Sequence, residues 1–271
     1  MQIFDSQTRA QQYLLRIVPK GYHHHTGGTV AAHKLDELAY KFSEKYDTDI
    51  KDVRRYTLRK KKVATSRFLV CQLPDGRYLW FLVATDGSGR IHEEETLRDA
   101  RLSSERLIWN GEYILLKTNR PSFFGGGKHW SWWMLPTTQQ EISAYVDHLA
   151  KEGDPRLKSY LAELQHRPLH SGVRLQLGKI YRRAHRILQA CHPEMPWPGP
   201  DMNKPLPWLG KFLSAKKTTV ATDAETSGGL ASLSEEKQKA TKPARYTRAS
   251  LEDLLRAEEA RMLERQKKLP I

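Results

Sequence analysis

The run SRFLVCQLPDGRYLWFLVAT, residues 66–85, leaves a chain few choices. Two apolar stretches rich in aromatic and β-branched residues flank Pro74, Asp75 and Gly76. Such side chains pack well on a pleated surface and the Pro-Asp-Gly between them reverses the chain, so the stretches pair as an antiparallel hairpin. RLIWNGEYILLKT, residues 106–118, forms a second hairpin, where Asn110-Gly111 suits a two-residue type I′ turn. KHWSWWML, after the loop PSFFGGG, reads as a last strand, and QYLLRIV, Gln12 to Val18, as a first one stopped by Pro19. In TVAAHKLDELAYKFSEKY, residues 29–46, Ala31, Leu35, Leu38, Phe42 and Tyr46 recur at three and four, the mark of an amphipathic helix. The expected fold is α+β: about six strands, mostly antiparallel, with a helix packed on a face.

The second half is helical. Thr137 or Thr138 can cap TQQEISAYVDHLAKEG, with Glu141 three residues after Thr138 and Gly153 as the stop. DPRLKSYLAELQHRP has Asp154 as N-cap and Pro155 at the first helical position. A third helix begins near Ser171 and ends before Pro193. The proline-rich PEMPWPGPDMNKPLPW, residues 193–208, is extended or turned, and either straps across its own domain with Trp197 and Trp208 as anchors or offers itself to a partner's groove. From about Ser214 the chain has almost nothing to bury and is expected to be disordered. A terminal helix capped by Ser250, with Asp253 three residues on, closes it. The expected organisation is an α+β domain over residues 1–136, a helical subdomain with the proline-rich strap over 137–213, a linker over 214–249 and a helix over 250–271.

In this chain of 271 residues, 45 Lys and Arg stand against 31 Asp and Glu, a formal charge of +14. Such an excess favours nucleic acid, an acidic membrane surface or an acidic partner. Only Cys71 and Cys191 are present, which gives no disulfide framework and points to a reducing compartment. The N-terminal residues lack the basic and apolar regions of a signal peptide, and no run is long and apolar enough to span a membrane. The protein is expected to be cytoplasmic, with no membrane association.

Two clusters focus the positive charge. In GKIYRRAHRIL, residues 178–188, Lys179, Arg182, Arg183 and Arg186 fall on one stripe of a helix, roughly opposite a seam of Val173, Leu177, Ile180, Ala184, Ile187 and Cys191. No acid lies between Arg167 and Pro193, so the helix supplies no i,i+4 partner for these cations. The preceding helix and the link from Pro168 to Gly172 make a pair resembling a helix-turn-helix, with a longer link than that motif uses. The second cluster, RRYTLRKKK with Arg67 beyond, gathers Arg54, Arg55, Arg59, Lys60, Lys61, Lys62 and Arg67 around Tyr56, either as a phosphate-contacting and base-stacking segment or as a solvated loop.

Other motifs carry less. In GYHHHTGG, after a strand end, alternation along an extended chain allows His23 and His25 to converge while His24 points away, with His33 near the next helix; a glycine-flanked loop or phosphate role and plain surface histidines are the other readings. Relaxases and rolling-circle initiators use a His-apolar-His pair with a nucleophilic tyrosine; here His24 stands where the apolar residue belongs, and Tyr40 or Tyr46 would be the nucleophile. Glu93, Glu94 and Glu95 are placed to face a helix N-terminus. In KHWSWWML, Trp130 and Trp132 share a face with Met134, and His129, Ser131 and Trp133 the other; one face is core and the other either a platform for bases or buried under a helix. The Gly125–Gly127 loop with Lys128 lacks phosphate-loop spacing. No catalytic residue, metal site or cofactor is assigned. The expectation is a non-enzymatic nucleic-acid-binding protein, DNA favoured over RNA, acting as an accessory or regulatory factor of replication or DNA transfer on a mobile element. The alternatives are a histidine-dependent nuclease resembling relaxases, and an adaptor recruiting a protein partner through the proline-rich segment and terminal helix.

Overall fold

Eight strands and seven α-helices are seen in the computed structural model, which describes residues 1–119, 126–207 and 209. Five strands, β1 (Gln2–Phe4), β2 (His24–Val30), β3 (Ser66–Gln72), β4 (Tyr78–Ala84) and β5 (Arg98–Asp99), form one sheet in the order β1-β3-β4-β2-β5. Only the β1–β3 pair is parallel. The hairpin of β3 and β4 runs in register from Ser66 opposite Ala84 to Gln72 opposite Tyr78. Three more strands, β6 (Ile108–Trp109), β7 (Tyr113–Asn119) and β8 (Lys128–Met134), make a separate antiparallel sheet in that order. Asn110 and Gly111 both have positive φ, 46° and 69°, as the type I′ turn requires.

The helices are α1 (Gln7–Ile17), α2 (Leu35–Tyr46), α3 (Asp52–Lys60), α4 (Arg90–Glu94), α5 (Pro136–Glu152), α6 (Arg156–Leu164) and α7 (Ser171–Cys191). Alternate residues of β3 and β4 enter different cores. Phe68, Val70, Leu82 and Ala84 meet Leu35, Phe42 and Tyr46 of α2 and Ile91 of α4. Leu69, Cys71, Phe81 and Val83 belong to the larger core, shared with Tyr13 and Leu14 of α1, Trp109, Tyr113 and Trp132 of the second sheet, and the apolar faces of α5, α6 and α7. That core runs past residue 136, and Met1–Ala215 form one compact unit. Among the described residues no helix is long and apolar enough to cross a membrane.

The α+β class and the mostly antiparallel pairing are as the sequence implies, and several local assignments differ. Gln12 to Val18 is helix, not strand: Ala10, Tyr13, Leu14 and Ile17 are buried at helical spacing, a period that a window starting at Gln12 is too short to show. The histidine run opens strand β2 instead of a loop. Its glycines allow close packing across the sheet, since a Cβ on Gly27 would lie 2.7 Å from the Trp80 carbonyl oxygen. Thr29 and Val30 end that strand, so the next helix starts later than expected. Residues 52–60, read as a possible loop, are helix α3. Helix α5 starts with Pro136 at its first position and has no side-chain cap, so the Thr138–Glu141 capping box is not made. Asp154 does accept the Arg156 backbone N–H, at 2.8 Å. The expected linker and terminal helix lie outside the described residues.

Two glycines of α7 give opposite expectations. A Cβ at Gly172 would sit 2.5 Å from the Trp132 carbonyl oxygen and 2.5 Å from the Trp133 ring, whereas at Gly178 the nearest such atom is 3.7 Å away, on Arg182. Gly172→Ala is expected to destabilise the fold by about 1–3 kcal/mol through overpacking. Gly178→Ala should stabilise it by about 0.5–1 kcal/mol, because alanine is the better helix former. Urea midpoints at unchanged m-value measure both.

Candidate functional site

Helix α7 carries the first basic cluster, and its rotation is fixed by what it docks on. Val173, Gln176, Leu177, Ile180, Tyr181, Ala184 and Leu188 are buried. The Gln176 side chain lies along β8, accepting the Met134 backbone N–H at 2.8 Å and donating to the Met134 carbonyl at 3.0 Å. The Ser131 hydroxyl accepts the Gly172 backbone N–H at 3.0 Å. Cys191 is exposed and does not extend the seam: a strict four-and-three pattern drifts off one face of a helix with 3.6 residues per turn, and Leu188 takes the inward place. The first turn of α7 seats on β8 through Gly172, which lies against the Trp132 carbonyl and the Trp133 ring.

With that face inward, Lys179, Arg182, Arg183 and Arg186 are exposed. Arg183 pairs at 2.8 Å with Asp147 of α5, a carboxyl whose pKa burial pushes up against the pull of Arg183. The partner absent from α7 itself is thus supplied by its neighbour. Among the described residues no ion pair joins Lys179, Arg182 or Arg186 to an acid. These three line an open groove of about 400 Å³ with His185 and Met202. Met202 comes from the proline-rich segment, which straps across its own body as one of the two expectations held. Met195, Trp197, Met202 and Leu206 pack on the larger core, the Trp197 ring meets His185 edge-on at 5.2 Å, and Arg174 donates to the Leu206 carbonyl at 2.7 Å. Trp208 lies outside the described residues.

The second cluster divides. Arg55 is 3% exposed and its guanidinium donates to the backbone carbonyls of Thr48, Ile50 and Ser66, so it is a strut of the fold and cannot reach a ligand. Arg67 donates to the Tyr13 hydroxyl at 2.9 Å and pairs with Asp52, and Arg59 donates to the Lys20 carbonyl at 3.1 Å. Arg54, Lys60, Lys61 and Lys62 are exposed, as is Tyr56, with the Lys60 ammonium 4.7 Å from its ring centroid.

The histidines do not assemble as the alternation suggests. His23 precedes the strand, so it is His23 and His24 that approach one carboxylate, Asp86, at 4.0 and 2.8 Å. Arg101 also donates to Asp86, at 2.9 and 3.2 Å, and this guanidinium with His24 holds that carboxyl down to about 2. So low a pKa makes a poor general base near neutrality. His25 is buried and bonded to the Glu105 carbonyl at 2.9 Å, and Tyr40 is 70% exposed. The Tyr46 hydroxyl donates to Glu95 at 2.7 Å, and burial and that carboxylate raise its pKa, the wrong direction for a nucleophile. Glu94 sits at the end of α4, not its start, bound by Lys45 and Arg90 at 2.9 and 2.8 Å. Among the described residues no three His, Cys, Asp or Glu side chains stand together as a metal ion requires. On β8 Trp132 is fully buried, while Trp133, against Gly172, and Trp130, flanked by His23 and Lys117, are half-buried.

Comparison with protein-family models, with curated proteins and with solved structures finds no match to this chain. Of the groove residues, His185 could have been found from sequence, since it follows Arg182 by three on the same stripe. Met202 and Asp147 have no local signal.

Arg55→Ala is expected to cost about 2–4 kcal/mol, because three carbonyls lose a charged donor, while Arg54→Ala should stay within about 0.5 kcal/mol. Chemical denaturation compares them. Burial lowers the pKa of His25 from 6.5 to about 4 and that of His170 to about 3. The unfolded chain therefore takes up protons that the folded one refuses. Stability should be full above pH ~6.5 and fall towards pH 4 by up to about 1.4 kcal/mol per unit for each histidine. His25→Gln should flatten that slope by about one group's share in denaturation curves taken across this range.

Proposed function

We propose that the protein binds nucleic acid through the exposed face of α7, as a non-enzymatic accessory factor. One observation carries the reading: Lys179, Arg182 and Arg186 project from a helix locked on its other side, and among the described residues no acid lines the groove they border. The backbone that carries these cations needs no further ordering, so binding has only their side chains to fix, and phosphates relieve the repulsion among them. Arg54, Lys60, Lys61 and Lys62, on α3 and the turn that follows it near Tyr56, add further exposed basic side chains. Arg55 plays no part in it. The adaptor reading is weakened by the proline-rich segment's use as an internal strap. The nuclease reading is weakened by the saturated Asp86.

Binding should be strongly salt-dependent. Replacing Lys179, Arg182 and Arg186 together by Gln preserves helix formers and leaves the buried face untouched. The slope of log affinity against log salt should then flatten by about two to three units, at roughly 0.7 per contact on single strands and 0.9 on duplex. Arg183→Gln alone should change the slope less than any one of the three, since Asp147 already holds Arg183. Fluorescence anisotropy across a salt series measures this, and parent-like binding by the triple variant would sink the reading.

A further inference from the structure

Cations alone do not distinguish a duplex from a single strand. The other groove residues do. Met202 offers a polarizable thioether and His185 a flat ring, set beside Lys179, Arg182 and Arg186. In a duplex the base faces are stacked on one another, and a protein at the backbone meets only phosphate and sugar. An unpaired strand exposes both phosphate and base face, and aromatic side chains, histidine among them, stack on the latter. A volume of about 400 Å³ lies in the range of a pocket for one small ligand.

The strap is also built to hold its shape. Trp197 donates to the Pro200 carbonyl at 2.9 Å and its ring lies where a Cβ on Gly199 would sit, 2.3 Å from the nearest ring atom. Asn203 donates its backbone N–H to Asp201 at 2.9 Å, and Arg174 ties the far end at Leu206. His192, at the near end, is hydrogen-bonded to the Lys151 carbonyl at 2.9 Å. Met202 is thus presented from a braced turn.

Resting on the nucleic-acid reading above, we propose that the groove between α7 and the strap takes one nucleotide of a single strand. Its phosphate meets Lys179, Arg182 and Arg186, and its base lies against His185 and Met202. The protein is then a single-strand binder at this site.

The test uses the full chain with a twelve-residue oligo-dT and a twelve-base-pair duplex. His185→Ala with Met202→Ala should weaken oligo-dT binding about five- to hundredfold, the range of one lost base stack, with the salt slope unchanged and duplex binding within about twofold. His185→Phe, which keeps a flat ring in place, should restore most of the loss caused by His185→Ala. A 5-iodouracil in the oligo-dT should crosslink on irradiation to the peptide holding His185 or Met202. Equal loss of duplex and single-strand binding would mean that the pair only braces the strap, and would overturn the proposal. So would an oligo-dT affinity indifferent to both changes, leaving the nucleic-acid reading intact. Failure of the parent to bind either probe at low salt would overturn the nucleic-acid reading and this proposal together.

Discussion

The side-chain amide of Gln176 bonds to both backbone groups of Met134, and much of the C-terminal half depends on that pairing. A helix docked by apolar contacts alone can rotate some degrees at little cost. A buried amide that must satisfy one donor and one acceptor on a fixed strand cannot, because a lost partner costs the full desolvation of the group left behind. Gln176 also donates to Gln139 of α5 at 2.6 Å, so strand and two helices meet at one side chain. With the rotation of α7 set there, Ile180 and Ala184 point inward and Lys179, Arg182 and Arg186 outward. The basic face is a consequence of a neutral hydrogen bond made one to three turns earlier.

Where local chemistry decides the structure, the sequence is legible. The hairpin around Pro74-Asp75-Gly76, the Asn110-Gly111 turn and the extent of α7 follow from turn residues and periodicity. Where tertiary contacts decide, it is not. The helix at Gln7–Ile17 ends in an apolar run that includes strand formers, and its period emerges only when Ala10 is included. His24 to Gly28 look like a loop, because glycine is the ordinary signal for one; here the missing Cβ atoms admit a neighbouring strand's carbonyl and rings. Of the basic residues, Arg54 and Arg55 are indistinguishable in sequence, yet one is solvated and the other holds three backbone carbonyls. A run of cations reports charge, and only the fold says which of them are available.

The same division holds for the groove. Its basic wall is written in the spacing of α7. Its other wall is not, since Met202 reaches the site through a proline-rich turn whose path is set by Trp197 and Arg174. The pairing of Arg183 with Asp147 is likewise a contact between elements. It ties one of four apparently equivalent cations to an acid and leaves the other three lining the groove.

Strand β8 lies at the edge of its three-stranded sheet. An edge strand with open backbone groups is a template for another chain. Here Gln176 occupies both backbone groups of Met134, and Gly172 seats α7 directly on the Trp132 carbonyl. The helix that presents the cations to solvent therefore also covers this stretch of the sheet edge, where a strand of a second copy would otherwise pair.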